Sequence, residues 1–472
     1  MKALLISTYD LGRQPFGLAS PAAWLKADGW HVTCVDAAKQ KLEDATLAGA
    51  DLVGFHLPMH TATRLAAPVI ARARRLNPAA RLCAYGLYAP LNADWLRSIG
   101  VDDVLGGEFE ADLTEVARRC HAGLPLSPVS TAFLTARGPT PGGGASAYRG
   151  SPGGGRQDLA RLRFLVPDRT TLPPLARYAM LQSPGGSRRL VGYTEASRGC
   201  KHLCRHCPIV PIYNGQFRIV QSEVVLADVA GQIAAGAQHI TFGDPDFLNG
   251  PAHAMRVVEA LHEAHPGVSY DVTVKVEHLL KHRDLLARLA ATGCAFVTSA
   301  VESVDDRVLT LLDKGHTRAG FVEAAALCRA VGLTMVPTFV AFHPWLTLEG
   351  YCDLLNTIED LDLVGHVAPI QLAIRLLVPE GSRLLTLDEF RPHVGAFDPS
   401  TLTYRWRHPD ARVDDVHREV STIVGARPNA DRQDVFDEIR SLAHARADMP
   451  PPSGRPARDR ATIPYLDEPW YC

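Results

Sequence analysis

The sequence predicts an α/β protein built from two strand–helix units, and three observations carry that reading. Short apolar runs alternate with helical stretches from the first residue to about residue 123, the same alternation resumes from 190 to 399, and glycine triplets lie between the two. The first unit reads as a doubly wound parallel sheet, the second as a partial (β/α)6 barrel. A chain of 472 residues accommodates roughly two or three domains, and 46% hydrophobic residues supply a core for each.

In the first unit, residues 1–123, strands are predicted at 1–8, 31–36, 52–56 and 81–86, with helices near 22–28 and 61–76. Buried parallel strands read as short continuous apolar runs, which these are. Ligands of such sheets bind beyond the strand carboxyl ends, here the loops 9–17, 57–61, 87–91 and 106–108. Residues 124–189 form a linker and strap. Gly142-Gly143-Gly144 and Gly153-Gly154-Gly155 sit among Pro, Ser and Arg, so 137–157 is expected to be mobile, whereas 166–175 is expected to be an ordered strap. The core unit, 190–399, has candidate strands at 192–196, 239–242, 270–274, 296–300, 334–339 and 367–372. Residues 400–472 form a helical C-terminal region with amphipathic helices near 413–424 and 432–445, a Pro-rich turn and a Cys-ended tail.

A formal net charge of −2 argues against nucleic acid or an anionic membrane as the main partner. No apolar run approaches the roughly 18–20 residues that span a bilayer. Ten cysteines, seven of them scattered singly, together with the absence of a signal peptide, lead us to expect a reducing, cytoplasmic setting.

The remaining three cysteines form Cys200-Lys201-His202-Leu203-Cys204-Arg205-His206-Cys207, three thiols within eight residues after an apparent strand. Three thiolates leave one iron of a [4Fe–4S] cubane open to another ligand. A zinc knuckle completed by His202 or His206 is the competing reading. It is disfavoured because zinc sites usually draw ligand pairs from two turns, and the chain has no second pair.

The Cys-x3-Cys-x2-Cys segment resembles the radical S-adenosylmethionine (SAM) enzymes, which implies the barrel expected above, a [4Fe–4S] cluster on Cys200, Cys204 and Cys207, and SAM chelated by the open iron. Reductive cleavage of SAM would then yield a carbon radical, with the electron coming from an external donor such as flavodoxin or ferredoxin. The resemblance places His206 against the adenine. Phe242-Gly243-Asp244-Pro245 stands where the family binds the SAM ammonium group, although its second glycine is here Asp244 and its glutamate is absent. Lys275, Glu277, Glu302 and Ser303 occupy strand ends as partners for SAM. Val301-Glu302-Ser303 followed by Asp313-Lys314-Gly315 resembles a pairing of the cobalamin-associated branch, so the first unit becomes a Rossmann-like, cobalamin-binding-type domain. The Asp-x-His-x-x-Gly signature that ligates cobalt is missing, which implies base-off cobalamin without a protein imidazole, or no corrinoid at all.

Glu468-Pro469-Trp470-Tyr471-Cys472, taken with the cysteine segment and 342–350, looks like the radical SAM family named for its Cys-Sec-Ala-Glu-Pro or Cys-Cys-Ala-Glu-Pro tail. That resemblance implies a catalytic Cys472 and a sequence that stops at a selenocysteine codon, making the protein a selenoprotein candidate. A small molecule or peptide is the implied substrate, modified by C–H functionalisation or by methyl transfer through cobalamin. Two alternatives stay open: 3-amino-3-carboxypropyl transfer from SAM, and a non-catalytic iron–sulfur, cobalamin or redox sensor.

Overall fold

The computed structural model describes residues 1–122, 156–158, 161–183, 186–427, 430–450 and 463–467. The N-terminal sheet is formed by β1 (Lys2–Ser7), β2 (His31–Asp36), β3 (Leu52–His56), β4 (Arg81–Tyr85), β5 (Asp103–Gly107) and β6 (Arg156–Asp158). Its strands are all parallel, in the order β2-β1-β3-β4-β5-β6. Helices α1 (Phe16–Ala27), α2 (Asp44–Ala48), α3 (His60–Leu76), α4 (Ala93–Ser98) and α5 (Phe109–His121) follow successive strands. Apolar clusters cover both faces of the sheet, one around Leu4, Val53 and Leu82, the other around Leu5, Leu52 and Cys83. The strand order reverses between β1 and β3, so a crevice opens at the loops that follow them.

Two elements differ from the sequence expectation. Gly106-Gly107, expected in a loop, close β5, where Gly106 is fixed because a Cβ would lie 2.5 Å from Pro90. Residues 156–157, expected to be mobile, belong to β6; the rest of that stretch, 137–155, lies outside the described residues, as does Cys472.

The strap crosses between the units. Asp168 N–H donates to Ala19 O in α1, and Arg169 donates to Gln14, to Asp228 and to Tyr193 O. The second sheet begins with β7 (Met180–Gln182) and β8 (Arg188–Thr194), an antiparallel pair. A small ribbon of β9 (Ser197–Gly199) and β10 (Phe217–Ile219) encloses α6 (Val210–Tyr213). Then α7 (Ser222–Ala234), β11 (His239–Phe242), α8 (Pro251–Ala264), β12 (Ser269–Thr273), α9 (Val276–Lys281), α10 (Arg283–Ala291), β13 (Cys294–Glu302), α11 (Asp306–Leu312), α12 (Arg318–Ala330), β14 (Thr334–Phe339) and α13 (Leu348–Asp360) follow in strand–helix alternation. Strands β8, β11, β12, β13 and β14 run parallel in that spatial order, over a core that includes Ile240, Tyr270, Val297 and Phe339.

The sixth predicted barrel strand, 367–372, does not form. Pro369 has no N–H to give a ladder and opens a 3-10 turn, Pro369–Leu372, leaving one parallel bridge between Phe342 and Arg375 beyond β14. The chain ends in an antiparallel pair, β15 (Val394–Asp398) and β16 (Thr403–Trp406), helices α14 (Ala411–Ala426) and α15 (Arg432–Arg446), and β17 (Tyr465–Leu466), which pairs with β7. Among the described residues no helix is long and apolar enough to cross a membrane.

Candidate active site

The cysteine loop runs from the end of β9 into α6. Gly199 opens it with φ +73°, and a Cβ there would fall 2.4 Å from the Tyr213 ring and 2.6 Å from Gln216 O, so only glycine fits. Asn249 Oδ1 accepts from Lys201 N–H at 3.2 Å, and Cys207 N–H donates to Cys204 O at 3.2 Å. Cys200 and Cys204 are buried, Cys207 half-buried. Burial, followed by the neighbouring Cys204, pushes the Cys207 thiol up to about 12, and burial also raises Cys200. Such thiols ionise only beside strong positive charge, which a bound metal supplies. Two cations attend them already: Lys275 Nζ donates to Cys204 Sγ at 3.6 Å, and Lys314 acts electrostatically on Cys207. Soft sulfur donors on one short loop fit an iron–sulfur cluster.

The two histidines of this loop point to different partners. His206 Nε2 lies 3.1 Å from Glu302 Oε1, whereas His202 lies between Asp246 and Glu277. A register shift between Ala300 and Glu302 ends β13, and Glu302 itself has φ +70°, so a bulge aims this carboxylate at the site. Its second partner is Lys314, whose Nζ donates to Oε1 at 3.2 Å. Burial raises the Glu302 carboxyl, but Lys314 and then His206 outweigh it and hold the group at about 2. The Glu302 and Lys314 motifs are therefore one buried ion pair. Gly315 completes the arrangement: at φ +75°, a Cβ would sit 2.4 Å from Glu277 Oε2. Glu277 also lies 3.5 Å from Lys275 Nζ.

Gly243, Asp244, Pro245 and His206 line a cavity of about 1330 Å³. A Cβ on Gly243 would come within 1.7 Å of Tyr193 Oη, so this glycine lets β11 lie against the ring. Asp244 spends its carboxyl on the chain, accepting from Ser197 Oγ at 2.5 Å and Ala196 N–H at 2.9 Å, and burial raises it to about 7. Lys275 and Glu277 stand beside the cysteine loop rather than in that cavity. Ser303 and Glu302 line a smaller one of about 330 Å³.

The large cavity also takes its walls from the first unit: Asp10, Leu11, Arg13 and Gly17 after β1, Pro58 and Met59 after β3, Gly86 to Tyr88 after β4, and Gly107. The crevice at the topological switch point thus faces the ends of the barrel strands. Arg198, unread in the sequence, ties the units together. It donates to Glu195 at 2.7 Å, to Glu108 at 3.2 Å and to Glu110 at 2.6 and 2.9 Å, with Phe16, Phe109 and Phe164 against its guanidinium. Burial opposes that charge, and the three carboxylates outweigh it. His56, which no sequence motif marks, lines the cavity; its Nδ1 has no hydrogen-bond partner among the described residues, and burial, then Arg198, pushes it down to about 3, so the ring is neutral.

The sequence profile of the radical SAM superfamily matches residues 194–361, the span from the end of β8 through α13. Residues 194–361 form a radical SAM domain. This is a fold of enzymes that hold SAM and a [4Fe–4S] cluster, and the thiol set above suits it. A tRNA-2-methylthio-N(6)-dimethylallyladenosine synthase of Chlorobium phaeobacteroides is 28% identical over 188 residues, 38% of this chain and 41% of that protein. A bacteriochlorophyllide d C-12(1)-methyltransferase of Chlorobaculum tepidum is 27% identical over 169 residues, 34% of this chain and 35% of that protein. The chain thus spans less than half the length of these relatives. Among solved structures, the radical SAM methyltransferase TsrM from Kitasatospora setae, with cobalamin and a [4Fe–4S] cluster bound, superposes with TM-score 0.59 at 18% identity, covering 76% of this chain and 70% of that one. The cobalamin-dependent radical SAM enzyme OxsB superposes with TM-score 0.69 at 12% identity, covering 94% and 72%. At these identities the likeness is one of fold, and it extends through both units.

Proposed function

We propose that this chain is a radical SAM enzyme that also binds cobalamin and transfers a methyl group to a small molecule or peptide. The observation that carries this reading is the single cavity shared by the switch-point loops of the first sheet and the strand ends of the barrel, with Gly199, His206 and Pro208 of the cysteine loop in its wall. The cluster and SAM together supply one-electron cleavage of a carbon–sulfur bond, and cobalamin supplies a transferable methyl group.

The residues present divide the work. Cys200, Cys204 and Cys207 hold the cluster, and Lys275 and Lys314 balance thiolate charge around it. His206, Gly243, Asp244 and Pro245 line the SAM side, while Glu277, Glu302 and Ser303 serve through the loop and the strand ends. Leu11, Gly17, Pro58, Met59, Gly86 and Leu87 offer the apolar, small-residue wall that a flat macrocycle needs. Nε2 of His56 is packed against Gly17, where a Cβ would lie 2.1 Å from it, so that nitrogen would not be offered to a bound corrinoid. A catalytic role for Cys472 is proposed on sequence alone. A flavodoxin or ferredoxin fits the need for an external electron donor.

The test is anaerobic reconstitution with iron, sulfide and hydroxocobalamin, followed by gel filtration. A base-off corrinoid spectrum should travel with the protein, and methyl-labelled SAM should label a substrate. Failure of any corrinoid to co-elute removes cobalamin from the reading, and 3-amino-3-carboxypropyl products would replace methyl transfer. A loaded protein that cleaves no SAM would instead be a sensor.

A further inference from the structure

Beside the cluster loop, one buried carboxylate oxygen stands against imidazole nitrogens from two other elements. Asp246 Oδ2 lies 2.7 Å from His278 Nδ1 and 3.5 Å from His202 Nε2. The Asp246 side chain is fully buried, and those of His278 and His202 are 6% and 14% exposed. Among the described residues none of these three atoms meets the geometry of a hydrogen bond, although the pairs are this close. The His202 and His278 rings lie edge to face at 4.7 Å. Nitrogen and oxygen ligands around a first-row divalent ion, about 2.0–2.2 Å from it, stand about 3–3.5 Å apart; the His202–Asp246 pair is at the upper edge of that range, and the His278–Asp246 pair is shorter than it and would open slightly around an ion. The other nitrogen of His202, Nδ1, sits 3.3 Å from Glu277 Oε2. A carboxylate on the far nitrogen fixes the tautomer that leaves Nε2 free to ligate.

We propose that His202, Asp246 and His278 form a second metal site, for a divalent transition ion such as zinc, separate from the cluster. Two imidazoles and one carboxylate suit Zn(II) or Fe(II). Cys200 Sγ also comes within 4.8 Å of ligand atoms of His202 and Asp246, so the ion lies next to the cluster loop, and its ligands clamp that loop to the turn after β11 and to α9. The proposal rests on the cluster reading only in leaving Cys200 to the cluster.

The experiment uses the full chain with its cluster reconstituted, desalted and then equilibrated with Zn(II) alone. Iron, acid-labile sulfide and zinc are counted, and the zinc X-ray absorption edge is recorded. The expected result is a full iron and sulfide complement plus about one zinc in a nitrogen and oxygen shell free of sulfur. Asp246→Asn and His278→Gln should each keep the iron and lose the zinc, and Glu277→Gln should weaken zinc binding about 10- to 100-fold. A complete cluster with no retained zinc, or equal zinc in both ligand variants, overturns the site and leaves the cluster reading intact. Zinc bound through sulfur with iron absent overturns the cluster reading instead. If neither ligand variant folds, the wild-type absorption shell decides by itself: two imidazoles support the site, and any other first shell overturns it.

Discussion

Replacing Lys314 with Met tests how the strand-end charges hold the cysteine loop. Lys314 and Glu302 are 3% and 10% exposed, and Nζ to Oε1 is 3.2 Å. At an effective dielectric near 20 that separation corresponds to about 5 kcal/mol of attraction, and removing one member of a buried pair costs about 3–5 kcal/mol because the other charge is left behind. His206 still faces Glu302, so the lower end, about 3 kcal/mol, is expected for Lys314→Met. At roughly 2 °C per kcal/mol in a domain of this size, the apparent Tm of cluster-loaded protein should fall by about 6 °C at a fixed scan rate. Glu302→Gln should cost a similar amount, and the double variant clearly less than the sum. The acid limb gives a second readout. Because Glu302 is held at about 2, below its ordinary 4.5, it contributes stability above about pH 4.5 that is lost as the pH falls towards 2. That loss should flatten in Lys314→Met. Additive single effects, or an unchanged acid limb, would refute the pairing.

Three further outcomes are expected. Gly243→Ala drives a Cβ into Tyr193 and should destabilise by about 1–3 kcal/mol while weakening SAM binding, seen by equilibrium dialysis; unchanged SAM affinity would argue against placing SAM there. Asp10 and Asp244 are both raised to about 7, chiefly by burial, so the folded state keeps protons that the unfolded state has lost from about pH 4 upward. Stability should therefore decline as the pH rises from about 4 through 7, and Asp244→Asn should lessen the decline in chemical denaturation across that range. Arg198→Met leaves Glu108, Glu110 and Glu195 without their cation and should cost about 3–5 kcal/mol, with limited proteolysis cutting between the two units; resistance equal to wild type would show that the network does not join them.

Much of the fold is legible in the sequence, because parallel strands announce themselves as apolar runs and β1, β2, β3, β4, β11 and β14 fall where those runs are. Glycine hid β5, since Gly106-Gly107 reads as a turn until Pro90 is seen against it, and β6 lies in a stretch whose composition signals a linker. Pro369 misled in the other direction: the apolar run around it looks like a strand, but the missing N–H makes a turn. Within the site, local spacing revealed the cysteines, and motif order revealed Glu302 with Lys314. Arg198, His56 and the set of His202, Asp246 and His278 were hidden, because they meet only through strands distant in sequence. Arg198, just before Gly199 at the mouth of the cysteine segment, is the one hint the sequence offers, since a charge buried there has to find carboxylates.

The central claim, radical SAM chemistry on three thiolates, is tested most directly by anaerobic reconstitution and dithionite reduction in the presence of SAM, with 5′-deoxyadenosine measured by chromatography. Wild-type protein should carry a [4Fe–4S] signal that SAM perturbs and should release 5′-deoxyadenosine, whereas Cys200→Ala, Cys204→Ala and Cys207→Ala should do neither and Cys328→Ala should do both. Full iron content and SAM cleavage in Cys204→Ala would contradict the account.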